Sequence, residues 1–384
     1  MSLIHPSGEF TNERILEKSS EHGFPNAVAV EKFLWDIEIS AQLQNVDDRL
    51  ILKGGAAAQL YLPVGKQRGS TDIDMKALPS ITEKEIAKIV SQVEAKLPAV
   101  HFEYYKPIAP IPKLPLATYS ISIPSALVLT GNKSLEIKAD ILLEDPGLPT
   151  TLVKSKPTFV LNVIQMRIPT LGTCIGDKLL TLARGSVGMT REEDYPKQMY
   201  DIDLLSETPS QEVMVDIIDA VRKLTPLEAA YRGLKTEAIE AIRHTSNLTT
   251  SFAEVDTPNA NSEHKRHISS FQSFLVSQNQ ALTLYKWASR ALRIRFLATL
   301  VGMALEDQLQ PSESTEILKT VYHLAESLEK VPGPKVKEIR FGLLNMITTG
   351  IAYLKDLKGK PLSRVFWEAV TPYNLEEITS LLPS

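Results

Sequence analysis

Two short stretches hold most of the residues able to do chemistry. The first is Lys53-Gly54-Gly55 and the second is Arg68-Gly69-Ser70-Thr71-Asp72-Ile73-Asp74. Adjacent glycines where a strand turns into a helix let backbone N–H groups come close to an anion, because no Cβ intervenes. Two aspartates spaced two apart on a strand point to one face, within reach of a shared cation. Their hard oxygens suit Mg²⁺. Phosphoryl transfer from a nucleoside triphosphate uses a pair of such ions about 4 Å apart to stabilise the attacking and leaving oxygens. Asp72 and Asp74 are therefore the candidate metal ligands, and Lys53, Arg68 and Ser70 the candidate phosphate contacts around Gly54 and Gly55. A third carboxylate is expected from a neighbouring strand. In 134–141, Glu136, Lys138 and Asp140 share a face by the period of two; Asp140 is the first choice and Glu136 the second.

Positioning these groups needs strands and turns in a set order. Residues 27–43 read as an amphipathic helix, 49–52 as a buried strand, 56–62 as a helix stopped at Pro63, and 72–76 as a half-buried strand. A second amphipathic helix is expected over 83–97 with Thr82 as its cap, followed by strands at 100–105, 118–123, 134–143 and 159–164. Pro107, Pro110, Pro112 and Pro115 form an extended connector between strands. From about Gly172 the pattern turns to long helices. The expected fold class is α+β: a mixed sheet flanked by helices in residues 1–205, then an all-α helical bundle in 206–384.

With 384 residues, two domains are the natural expectation. A net charge of −4 gives no global attraction to nucleic acid or anionic membrane, so such a partner must be held by a local patch. Cys174 is the only cysteine, which excludes an intramolecular disulfide and suits a reducing compartment; the cytoplasm is expected. No apolar run is long enough to span a membrane, and the start of the chain lacks signal-peptide character. Between His264 and Leu305 there are no acidic residues, while Lys265, Arg266, Lys286, Arg290, Arg293 and Arg295 interleave with Tyr285 and Trp287. Lys286, Arg290 and Arg293 are candidate nucleic-acid contacts, against an equally weighted reading as a helix face paired with neighbouring carboxylates. His264 and His267 are expected at the surface.

The order strand, Gly-Gly, helix, turn and Asp-x-Asp resembles the opening of polymerase-β-like nucleotidyltransferases. Leu52-Lys53-Gly54-Gly55-Ala56-Ala57, followed by Arg68-Gly69-Ser70-Thr71-Asp72-Ile73-Asp74-Met75, resembles the AbiEii/AbiGii-type nucleotidyltransferase toxins, as does the helix carrying Val30-Glu31-Lys32. Asp177-Lys178-Leu179-Leu180 and Tyr200-Asp201-Ile202 are similar to that family's second motif. The resemblance covers about residues 27–205. It implies that Lys178 lies by the nucleotide phosphates and that Asp201 completes the site; the residues alone favour a lysine lying along an apolar stripe and a locally paired aspartate. The chain departs from the family pattern at Ala56, where a hydroxyl is usual, and at Lys197-Gln198-Met199, where Arg-Asp is usual.

What the resemblance implies is a metal-dependent transfer of a nucleoside monophosphate from an NTP to an acceptor hydroxyl. The acceptor would be RNA, at a tRNA 3′ end, with Mg²⁺ as cofactor and a separate antitoxin protein as partner. Two other readings compete. One is a catalytically impaired nucleotide-binding or protein-interaction module, for which Ala56 speaks; the other is nucleotidyl transfer to a small molecule.

Overall fold

In the computed structural model, which describes residues 2–106, 111, 113–129, 132–207, 209–347 and 351–382, five strands form one mixed sheet. They are β1 (Leu50–Leu52), β2 (Asp72–Ala77), β3 (His101–Tyr105), β4 (Leu116–Leu129) and β5 (Asn132–Leu142), in the order β1-β2-β5-β4-β3. β2 and β5 run parallel and the other neighbours antiparallel. Pro107, Pro110 and Pro112 lie outside the described residues, and Pro115 precedes β4.

Alternation along each strand gives this sheet two unlike faces. Ile73, Met75, Ala117, Tyr119, Ile121, Ile137, Ala139 and Ile141 enter one apolar cluster. Asp72, Asp74, Lys138, Asp140 and Thr118 follow the opposite phase of the pleat. A one-residue slip of β2 would drive both aspartates into the apolar cluster, at several kcal/mol for each unpaired carboxylate, so the pattern specifies the register.

The helices before and between these strands are α1 (Asn12–Glu21), α2 (Ala27–Val46), α3 (Gly54–Gln59) and α4 (Glu83–Lys96). α4 starts at the expected cap, Thr82, which forms a capping box with Glu85, and buries Ile86, Ile89, Val90 and Val93. α2 differs from expectation, since it is buried on all sides rather than amphipathic. It is wedged between two apolar clusters, giving Trp35, Ile39 and Leu43 to the sheet cluster and Val30, Phe33, Leu34 and Ile37 to a second one. Two of its buried acids are bridged: Glu31 accepts from Ser125 Oγ (2.9 Å) and Ala126 N (2.6 Å), and Glu38 from His5 Nδ1 (2.6 Å) and Gln42 Nε2 (2.8 Å).

A hairpin of β6 (Thr150–Pro157) and β7 (Asn162–Pro169) stands where one strand at 159–164 was expected. β6 is largely exposed, so it has little apolar alternation by which to be read. Phe159 sits in the turn instead, stacked on Phe24 at 4.2 Å between ring centres. The remaining elements are helices: α5 (Leu171–Thr181), α6 (Tyr195–Leu205), α7 (Gln211–Tyr231), α8 (Ala238–Ala253), α9 (Ser262–Leu275), α10 (Leu284–Leu305), α11 (Pro311–Ser327), α12 (Gly333–Met346), α13 (Ile351–Lys358), α14 (Leu362–Ala369) and α15 (Leu375–Leu381).

The chain forms two compact units. One comprises Met1–Cys174, Pro226–Lys235 and Ser270–Ala281; the other Ile175–Thr225, Thr236–Ser269 and Leu282–Ser384. Each unit takes segments from both sides of residue 205. In the first, the late segments are held by backbone bonds such as Gly69 N–H to Leu275 O and Gln278 N–H to Gly23 O, both 2.8 Å. In the second, α10 is the central helix, apolar nearly all round and packed against α6, α8, α11 and α14. Among the described residues no helix is long and apolar enough to cross a membrane.

Candidate active site

Gly54 fixes the geometry of the acidic face. Lys53 N–H donates to Asp74 O at 2.8 Å, ending the β1–β2 pairing, and the chain then turns through Gly54 at φ +68° into α3. A Cβ at 54 would fall on the Asp74 carboxylate and lie 2.7 Å from Asp74 Cβ. Glycine is thus required twice, for its backbone conformation and for the space that Asp74 fills. At Gly55 a Cβ would come within 3.0 Å of the Arg68 guanidinium and 3.4 Å of Ser70 Oγ. Arg68 is buried, with Nη1 donating to Gly69 O at 2.7 Å. Lys53, Gly54 and Gly55 are half-buried.

The turn from α3 to β2 is fastened by two buried glutamines that the sequence reading passed over. Gln59 Oε1 accepts from Arg68 N–H (2.8 Å), while Gln67 Nε2 donates to Gln59 O (3.1 Å) and Leu62 O (3.0 Å). Ala56 is also buried, its methyl in the second apolar cluster.

Asp36, from the middle of α2, is a further residue that sequence reasoning missed. It is fully buried, and Ser40 Oγ donates to Oδ1 at 3.5 Å. Burial pushes its carboxyl well above the usual range and the charges of Asp74 and Asp72 push it further, against a hydrogen bond from Ser70. Among the described residues its Oδ2 has no hydrogen-bond partner. Its signal in the sequence was an acid amid the apolar run Phe33-Leu34-Trp35-Asp36-Ile37, visible only to a reader who already knew that the helix was buried on every side.

Asp72 and Asp74 lie half-buried on one face of β2, and Asp140 pairs in register with Asp74. Both Asp140 oxygens are engaged, Oδ1 by Thr118 Oγ1 at 2.7 Å and Oδ2 by Lys138 Nζ at 2.6 Å. Among the described residues no group of three or more acids, histidines or cysteines is gathered tightly enough to hold a metal ion. The donor chemistry nevertheless fits a divalent cation. Asp72 and Asp74 offer hard oxygens from one face, and an ammonium already occupies one oxygen of the carboxylate expected third.

The model of the family described as nucleotidyl transferase AbiEii toxin, type IV toxin–antitoxin system, matches residues 39–288. The chain belongs to the AbiEii nucleotidyltransferase toxin family. Similar solved structures include a candidate nucleotidyltransferase from H. pylori, at 15% identity over 73% of this chain and 97% of that one, with a TM-score of 0.41. JHP933 from Helicobacter pylori is 16% identical over 78% and 96%, TM-score 0.39. An antigenic nucleotidyltransferase-like protein from Paracoccidioides brasiliensis is 14% identical over 53% and 94%, TM-score 0.31. Comparison with curated proteins finds no match. The α+β class is that of the family, whose general activity is nucleotidyl transfer and whose type IV designation entails a nucleotide substrate and an antitoxin partner.

In this AbiEii chain the second motif lies in the second compact unit. Lys178 on α5 is buried, with Nζ 2.8 Å from Asp201 Oδ2 and donating to Gln198 Oε1 at 3.0 Å. Gln198 belongs to the stretch that departs from the family pattern, and it supplies an acceptor for that lysine. Lys286 is exposed on α10, whereas Arg290 and Arg293 are drawn to Asp203. Arg290 is buried between the Tyr200 and Trp287 rings, 4.6 and 4.7 Å from their centres. These two arginines thus follow the paired-carboxylate reading, with a partner from α6. His264 and His267 are buried, not at the surface; His264 stacks on Phe252 at 3.9 Å, and burial lowers its pKa.

Proposed function

We propose that the acidic face of β2 transfers a nucleoside monophosphate from an NTP to an acceptor hydroxyl of RNA, at a tRNA 3′ end, as the toxin of a toxin–antitoxin or phage-defence pair. The observation that carries this reading is the fit of Gly54 to Asp74. The tight turn after Lys53 and the carboxylate of the Asp-x-Asp strand are built against each other, so the two motifs form one structure. Asp72 and Asp74 would hold Mg²⁺, with Asp140 as a third ligand once its bond to Lys138 opens. The ion, when bound, neutralises charge that develops on the transferring phosphoryl group.

The Lys53 side chain and the half-buried amides of Gly54 and Gly55 would receive the triphosphate. Arg68, buried behind Gly55, would stiffen that turn, and Ser70 would link it to Asp72, whose carbonyl lies 3.4 Å from Ser70 Oγ. The acceptor oxygen attacks the α-phosphorus in line, the bond to the β-phosphate oxygen breaks, and pyrophosphate leaves. For Lys178 and Asp201 the family resemblance implies phosphate contact and completion of a site; within the second unit they pair with each other at 2.8 Å. The test uses each of the four NTPs labelled at the α-phosphate, total RNA as acceptor, and the wild-type and Asp72→Asn proteins. Label on RNA from the wild type alone supports the proposal; equal label with both proteins, or none with any divalent metal, refutes it.

A further inference from the structure

We propose that Lys138 is a built-in competitor for the divalent cation. Its ammonium is held on Asp140, and a divalent ion binding there must compete with it for the carboxylate. This rests on the reading of Asp72 and Asp74 as the metal-holding face.

Strand geometry puts Lys138 in this position. Lys138 and Asp140 are two residues apart on β5, so they share a face, and the parallel register sets Lys138 beside Asp72 and Asp140 beside Asp74. The register thus sets residue 138 beside Asp72, while the ammonium itself contacts Asp140. It lies 2.6 Å from Asp140 Oδ2, and Thr118 Oγ1 donates to Oδ1 at 2.7 Å. With both oxygens engaged, a cation approaching Asp140 meets the Lys138 ammonium as a competing positive charge on Oδ2.

The magnitudes permit exchange. The Lys138 side chain is 41% exposed and that of Asp140 25%, so their pair is a weak, partly solvated one. A divalent ion between two or three carboxylates interacts with each through twice the charge, and Lys138 has water to move into. The device therefore holds the acidic face together without metal and yields when metal arrives. A bare aliphatic residue at 138 would leave Asp140 with the Thr118 hydrogen bond and without the Lys138 ion pair.

The test measures Mn²⁺ binding to the full chain without nucleotide, from the loss of the free-ion electron paramagnetic resonance signal. The proteins are wild type, Lys138→Met, Asp140→Asn, the double variant and Asp72→Asn, with circular dichroism confirming that each is folded. Lys138→Met is expected to bind Mn²⁺ about fivefold more tightly than wild type, the equivalent of a partly exposed ion pair. That gain should vanish when Lys138→Met is made in the Asp140→Asn background, because the competition needs both partners. No gain in Lys138→Met overturns the proposal. A gain that persists with Asp140→Asn also overturns it, since it would mark a general charge effect. Mn²⁺ binding that is identical in wild type and Asp72→Asn removes the metal-holding face itself, a result distinct from a failure at Lys138 alone.

Discussion

Asp36 and Asp203 are both fully buried aspartates on helices, and the protein treats them in opposite ways. At Asp203 the burial penalty is outweighed by Arg293 and Arg290, so its carboxyl is held below the usual range. Arg290 Nε and Arg293 Nη2 donate to its Oδ2 at 2.8 and 2.7 Å. At Asp36 burial dominates, the nearby charges of Asp74 and Asp72 add to it, and the carboxyl is held well above that range. One carboxylate is compensated by two arginines as a structural tie is; the other is buried beside two further aspartates, with serine hydroxyls as its hydrogen-bond donors. A fold tolerates the second arrangement where something else supplies positive charge, which is why such sites mark function.

Four changes probe this contrast. The largest effect is expected at the acidic face, where Asp72→Asn should cut nucleotidyl transfer to RNA by about a thousandfold or more with the fold intact, as loss of a metal-held charge does. Retained activity would remove the functional half of the comparison. Asp203→Ala should act on stability instead, costing about 3–5 kcal/mol in urea unfolding because two arginines lose their buried partner. Its stabilising effect is present above the unfolded aspartate value of about 3.9 and is lost as pH falls through the lower folded value, so wild type should weaken below about pH 4 more steeply than an Asp203→Asn variant.

Asp36→Asn should have the reverse sign. The raised folded pKa makes wild type lose stability as pH climbs from about 3.9 through that value, so the variant should equal wild type in acid and exceed it by roughly 1 kcal/mol or more at pH 7. A variant less stable at pH 7 would mean that Asp36 is a structural tie like Asp203. The smallest effect belongs to Lys286→Ala on the exposed surface, within about 0.5 kcal/mol in stability. If this end of α10 contacts RNA, the salt dependence of RNA binding should fall by about one phosphate contact; an unchanged salt slope removes it from the interface.

The chemistry was more legible in the sequence than its support. Gly54-Gly55 and Asp72-Ile73-Asp74 stand out because backbone freedom and strand alternation are local properties, readable from neighbours in the chain. The same holds for the Thr82 cap and for the shift to helices after Gly172. Gln59, Gln67 and Thr118 gave no such signal, as each matters only through a partner distant in sequence or across a strand pair. The β6 strand was missed because exposed strands carry no burial pattern. Arg290 and Arg293 could be read either way until Asp203 was seen to hold them.

By itself the sequence determined the family, the α+β class and the face on which the two aspartates stand, because motif order and a period of two survive without knowledge of any long-range contact. Only the tertiary structure decided what surrounds them: α2 buried on all sides with Asp36 inside it, Asp140 held by Lys138 and Thr118, and the arginines of α10 closed on Asp203. The physical reason is that burial and ion pairing depend on which distant segments meet. A lone acid or arginine in a sequence has the same chemistry whether it ends in water, beside a cation, or enclosed among carboxylates.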